Sequence, residues 1–118
     1  HDDGAYSPGW GRPAEAMWKY VVDRDYLAGT FVWTGFDYGG EPDTNPWPGV
    51  HTDWGVMDRA CFPKDNFYYY QSWWSDKTVL HLLPHWNWVG KEGENVRIWS
   101  QSNCQEFVQT WPDRNLMG

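Results

Sequence analysis

Thr30-Phe31-Val32-Trp33-Thr34, closed off by Gly29 and Gly35, is apolar on both faces of an extended chain. Side chains alternate across a strand, so a strand with one wet face alternates apolar and polar residues. This run does not alternate, which is the pattern of a strand covered on both sides, as in a helix-flanked parallel sheet. Such a strand needs neighbours at each edge, and the 118 residues offer no other run of that kind. The chain therefore reads as a piece of a larger α/β fold.

The flanks of this run divide the chain in two. Residues 1–12 are rich in Gly and read as a loop. Pro13 can open a helix, because its missing N–H is not needed in the first turn. Met17, Trp18, Val21 and Val22 then share one helical face, and Gly29 suits the end of that segment. Residues 35–62 form a long polar and aromatic loop, a length that is usually functional or disordered. Phe36, Tyr38, Trp47, Trp54 and Phe62 argue against disorder. Residues 64–74 read as a helix with Phe67, Tyr70, Gln71 and Trp74 on one face. After Asp76-Lys77 the texture changes to short strands: 79–84, then a turn over 91–95, then the alternating run 96–100, with a further strand over 106–111. Helix–strand–loop–helix giving way to short antiparallel strands is the pattern of two domains. The boundary falls near residues 75–79, which gives 1–76 and 77–118.

Charge excludes some partners. A net charge of −7 with no basic stretch leaves nothing to neutralise phosphates or an anionic membrane surface. No apolar run approaches the roughly 20 residues that span a bilayer. Cys61 and Cys104 lack metal-type spacing and read as buried free thiols. The 11 tryptophans are the compositional outlier. Most must serve an aromatic core, while a few partly exposed rings can act as stacking platforms for a sugar ring or another flat ligand.

From Gly29 to Tyr38 the sequence resembles glycoside hydrolase family 2, and within it the bacterial β-galactosidases. The resemblance continues through Gly40-Glu41-Pro42, Gly55-Val56-Met57-Asp58 and Phe62-Pro63-Lys64-Asp65. It runs on through Phe67-Tyr68-Tyr69-Tyr70-Gln71-Ser72, Leu80-His81-Leu82-Leu83-Pro84-His85-Trp86-Asn87-Trp88 and Ser102-Asn103-Cys104. It covers nearly the whole chain in order. The resemblance implies an α/β fragment of a (β/α)8 TIM barrel, its last strand and helices, followed by the first strands of an immunoglobulin-like β-sandwich. Residues 30–34 would be the last barrel strand and 64–74 the closing helix. The stretch from Phe107 to Asn115 departs from the family pattern, which leaves the strand register there open.

The resemblance also implies what lies elsewhere. The family works through two glutamates, an acid/base and a nucleophile, and both align before this region, so no catalytic residue is expected in this chain. Asp37 and Glu41 follow a strand end, where barrel active sites sit. No carboxyl spacing of about 5–5.5 Å can be inferred for them from a loop with two glycines between. Glu41 reads as an acceptor that holds the loop. The candidate substrate-binding residues are Trp33, Asp37, Trp47, His51 and Trp54. Trp33 ends the strand beneath the expected terminal sugar. Asp37 reads equally as a sugar-hydroxyl partner and as a loop cap, while Trp47, His51 and Trp54 read as pocket wall or as loop packing. His81 and His85 read as structural. No metal ligand set and no cofactor is expected. The partners expected are a carbohydrate substrate and the remainder of the parent polypeptide, with no nucleic acid and no membrane; oligomeric state and compartment stay open, a periplasmic or secreted setting being compatible. The function implied is that of a retaining exo-glycosidase acting on a terminal β-linked sugar, most simply a β-galactoside. The competing reading is a non-catalytic carbohydrate-binding or structural module. A binding module should be a sandwich throughout, which residues 13–74 do not resemble.

Overall fold

The computed structural model describes residues 13–41, 47–83, 85, 87–106 and 108. Among them run two helices, α1 (Ala14–Val22) and α2 (Asp65–Trp74), and two strands, β1 (Leu80–Leu83) and β2 (Trp99–Ser102). The loop expected over 1–12 lies outside the described residues, as does most of the strand expected over 106–111.

Helix α1 starts directly after Pro13, whose φ of −55° presets the first turn. It ends at Val22, well before Gly29. Asp23 takes the C-cap position, its N–H bonded to the Lys19 carbonyl, and the Arg24 N–H bonds to the Val21 carbonyl. The Arg24 guanidinium also reaches the Tyr20 carbonyl at 2.9 Å and lies over the Tyr20 ring, holding the helix end. The buried face is Ala14 and Val21 with Trp18 half-buried between them, an i, i+4, i+7 stripe. Met17 and Val22, expected on that face, are exposed. The stripe sits one step round the helix from the sequence expectation because α1 meets its partner through Trp18.

That partner is α2. Trp18 packs edge-on against Trp73 and Trp74, with ring centroids 6.0 and 5.3 Å apart. Tyr70 stacks on Trp74 at 4.6 Å. The buried residue of α2 is Tyr69, so the inward face turns about Tyr69 rather than about Phe67 and Gln71. Burial, reinforced by the negative charge of Glu15, holds the Tyr69 phenol above its ordinary value. Asp65 in the first turn complements the helix dipole.

Strands β1 and β2 pair antiparallel, from Leu80 opposite Ser102 to Leu83 opposite Trp99. The turn expected over 91–95 is present, with the Glu94 N–H on the Lys91 carbonyl and Gly93 at φ 85°, a conformation that suits glycine. Helix α2 and the two-stranded sheet pack together. His81 on β1 stacks on Tyr68 of α2 at 3.9 Å and reaches the Asp65 carboxylate at 2.8 Å. Asn103, just after β2, binds the Val79 N–H and the carbonyls of Ser75 and Lys77. These contacts join the two expected halves across the 75–79 boundary.

Two expectations are corrected. Residues 30–34 do not form a strand: Phe31 is fully exposed and, among the described residues, no strand pairs with the segment. The physical reason is the one the sequence supplies, that a strand apolar on both faces has no neighbours among the described residues. Cys61 is exposed rather than buried, in a turn at φ 68°, while Cys104 is half-buried with its thiol 3.7 Å from the Val79 carbonyl; both are free.

Candidate functional site

Residues 34–41 and 50–57 run against each other without forming a regular sheet. Isolated bridges join Phe36 to Met57 and Gly39 to His51, and Met57 bridges onward to Pro63. Backbone bonds continue the pairing: Val56 N–H to the Thr34 carbonyl, Asp37 N–H to Met57, Gly40 N–H to Val50. Among its described residues the long loop is therefore folded back on itself.

Gly55 makes the close approach possible. A Cβ there would run into backbone atoms of Asp37, Phe36 and Met57. The same closeness lets the Gly55 N–H donate to Asp37 Oδ1 at 2.8 Å. Lys64, at the N-cap of α2, donates to that oxygen at 2.7 Å and to the Asp53 carbonyl at 3.0 Å. The Asp37 side chain is 7% exposed. A carboxylate so buried needs its charge met, and Lys64 meets it.

Thr52 is a second root of the loop and is 1% exposed. Its Oγ1 accepts from the Tyr38 N–H at 3.2 Å, and its own N–H donates to the Tyr38 carbonyl at 2.9 Å. On this base stands a group of rings. Tyr38 meets Trp33 edge-on at 6.3 Å and Trp54 edge-on at 6.2 Å. The Tyr38 hydroxyl donates to Glu41 Oε2 at 2.6 Å, and that bond, with a smaller contribution from burial, holds the phenol above its ordinary value.

The five sequence candidates thus fall in different settings. Trp33 is 72% exposed, with one edge against Tyr38. Trp54 is half-buried and also meets Tyr38 edge-on. Asp37 lies beneath, its Oδ1 committed to Gly55 and Lys64. His51 bridges to Gly39 and its Nε2 is 3.5 Å from the Asp53 carboxylate. Trp47 is exposed beside Pro48. Lys64 and Tyr38 were not among the candidates. Both stand in motif stretches that the sequence displays, Lys64 in Phe62-Pro63-Lys64-Asp65 and Tyr38 directly after Asp37, but nothing in the spacing says what each would touch. Among the described residues no group of three or more His, Cys, Asp or Glu could hold a metal ion.

The chain is similar to known proteins. A Bacteroides ovatus protein named beta-galactosidase BoGH2A is 44% identical over 109 residues, which is 92% of this chain and 13% of that protein. A beta-glucuronidase of Bacteroides fragilis is 36% identical over 67 residues, 56% of this chain and 10% of that one. The crystal structure of a beta-glycosidase from Bacteroides vulgatus superposes with a TM-score of 0.67 at 41% identity, over 74% of this chain and 11% of that chain. The chain therefore spans about an eighth or less of the length of each of these proteins. No family model matches the chain.

Proposed function

Since this chain belongs to glycoside hydrolase family 2, we propose that its parent protein is a retaining exo-glycosidase that removes a terminal β-linked sugar, with β-galactosides as the first substrates to test. The observation that carries this is the 44% identity to a β-galactosidase along 92% of the chain. In this reading residues 1–76 are the C-terminal end of a TIM-barrel catalytic domain. Residues 77–118 begin an immunoglobulin-like sandwich. The run 30–34, unpaired in the chain by itself, would become the last barrel strand in the parent, where other strands would pair with it and cover its exposed apolar side chains.

The chemistry divides accordingly. Double displacement needs two carboxyl groups about 5–5.5 Å apart, one as nucleophile and one as acid then base. Both come from outside this chain. What the chain supplies is the sugar's seat. A pyranose has a face of C–H groups that can lie on an indole, leaving its hydroxyls free to hydrogen-bond. The exposed Trp33, at the C-terminal end of its segment, is that platform. Trp54, Trp47 and His51 form the wall on the loop side. Asp37, fixed by Lys64 and Gly55, holds the floor from which the loop rises and stands next to any sugar hydroxyl that reaches it.

The test is a panel of aryl β-galactoside, β-glucuronide and β-mannoside substrates with the full-length parent, following the anomer released by NMR. Fast β-galactoside turnover with retained configuration is expected. Turnover of another sugar would reassign the specificity, inverted configuration would rule out double displacement, and no turnover of any β-glycoside would leave a non-catalytic module. The 118-residue chain by itself should turn over none of them above a mock preparation.

A further inference from the structure

Among the described residues, the Tyr38 ring touches both Trp33 and Trp54. Both contacts are edge-on, with interplanar angles of 89° and 74°. Such contacts set ring orientation as well as distance, because the positive edge of one ring seeks the negative face of the other. They transmit an orientation only if the central ring is itself fixed. Tyr38 is fixed at both ends. Its backbone N–H and carbonyl are both bonded to Thr52, the most buried of the described residues with large buried side chains. Its hydroxyl is bonded to Glu41 at 2.6 Å, a short charge-assisted bond. A phenol is protonated at neutral pH and the bond to Glu41 raises its pKa further, so the hydroxyl is there to donate. Trp33, by contrast, is 72% exposed and depends on its few contacts for its angle.

We propose that Tyr38 is the positioning residue of the sugar platform: rooted on Thr52 and anchored by Glu41, it sets the angle at which the Trp33 indole meets the sugar. The proposal rests on the reading of Trp33 as that platform. It gives Glu41 a role distinct from chemistry on the substrate, as the anchor of the positioning ring. A sugar displaced by one ångström from its carboxylates can lose about 100-fold in rate, so a tilted platform is felt at the reacting carbon.

The experiment measures kcat, KM and thermal melting for the full-length parent on its best aryl β-glycoside. Tyr38→Leu, Tyr38→Phe, Glu41→Ala and Glu41→Gln are each made in the native background and with Trp33→Ala. In the native background Tyr38→Leu should lower kcat/KM about 10- to 100-fold. Tyr38→Phe and Glu41→Ala, which remove one hydrogen bond, should lower it about 3- to 10-fold. Glu41→Gln keeps an acceptor for the hydroxyl and should recover most of the Glu41→Ala loss. With Trp33→Ala these changes should cost little more, because Tyr38 acts through Trp33. Equal losses in both backgrounds, or losses that follow the fall in melting temperature, would overturn the proposal and leave Tyr38 as loop packing. If Tyr38→Leu does not fold, the Tyr38→Phe and Glu41→Gln pair decides. Trp33→Ala with near-native kcat/KM sinks the platform reading itself; a damaging Trp33→Ala with uncoupled Tyr38 variants sinks the positioning role alone.

Discussion

The Lys64 ammonium and the Asp37 carboxylate, 27 residues apart in the chain, stand 2.7 Å from each other. Asp37 is nearly buried and Lys64 about one-third exposed, so the pair lies at the edge of the packed region. It ties the segment after Trp33 to the start of α2, and the loop between them hangs from that tie. A lysine pairing a carboxylate at 7% exposure does more than a surface salt bridge, since its removal leaves a buried charge unpaired.

Lys64→Met should therefore destabilise the full-length protein by about 2 kcal/mol, less than the cost of breaking a fully buried pair because Lys64 is partly wet. Asp37→Asn should cost less, since its amide oxygen still accepts from the Gly55 N–H. Urea unfolding followed by tryptophan fluorescence measures both. A Lys64→Met midpoint equal to the native one contradicts the account.

Gly55→Ala tests space rather than charge. The atoms in the way belong to the backbone of Asp37, Phe36 and Met57, not to flexible side-chain ends that could swing aside. Overpacking of this kind costs about 3 kcal/mol. The variant should unfold earlier and lose the Gly55–Asp37 bond, seen as faster amide exchange at Gly55. Native-like exchange there would mean that the loop yields without strain.

Asn103 closes the junction between α2 and the sheet. Asn103→Ala leaves the N–H of Val79, a residue only 4% exposed, without its acceptor, and frees two carbonyls to water or to nothing. The expected cost is about 2 kcal/mol. Asn103→Asp should be no better, because it keeps the Val79 bond but turns a carboxylate toward the carbonyls of Ser75 and Lys77. Hydrogen exchange at the Val79 amide separates the cases: fast in the alanine variant, protected in the aspartate one.

Helices and strands were legible where local signals decide them. Pro13, the helical spacing of Phe67, Tyr70, Gln71 and Trp74, and the alternation around Trp99 placed α1, α2 and the sheet to within a few residues. The faces of the helices were not legible, because Trp18 chooses its partners on α2 by ring geometry, which periodicity does not encode. The end of α1 was missed because Asp23 and Arg24 cap it by hydrogen bonds and stacking, with no glycine to mark the place. In the candidate site, Trp33 and Asp37 were singled out by their places in and after an apolar run together with the family resemblance. Lys64 as the partner of Asp37 and Tyr38 as the hub of the rings could not, since both relations arise from the loop folding back through Gly55 and Thr52.

Made by itself, the 118-residue chain should self-associate. The apolar side chains buried among the described residues are Ala14, Val21, Tyr69, Val79 and Leu83, a small core. Against it stand Phe31, Trp33, Phe36, Trp47 and Phe62, all exposed and all in or beside the loop region from 30 to 62. Contiguous exposed apolar surface on a soluble protein marks a contact that something else covers. In the proposed parent that cover would be the rest of the barrel; in the isolated chain another copy is what is at hand. Light scattering across a dilution series should show mass rising with concentration. Phe31→Lys with Phe36→Lys should lower it, because both charges replace exposed apolar rings of that region. A monodisperse monomer that melts in one cooperative step would show that these side chains need no cover, and the reading of residues 30–34 as a barrel strand would go with it.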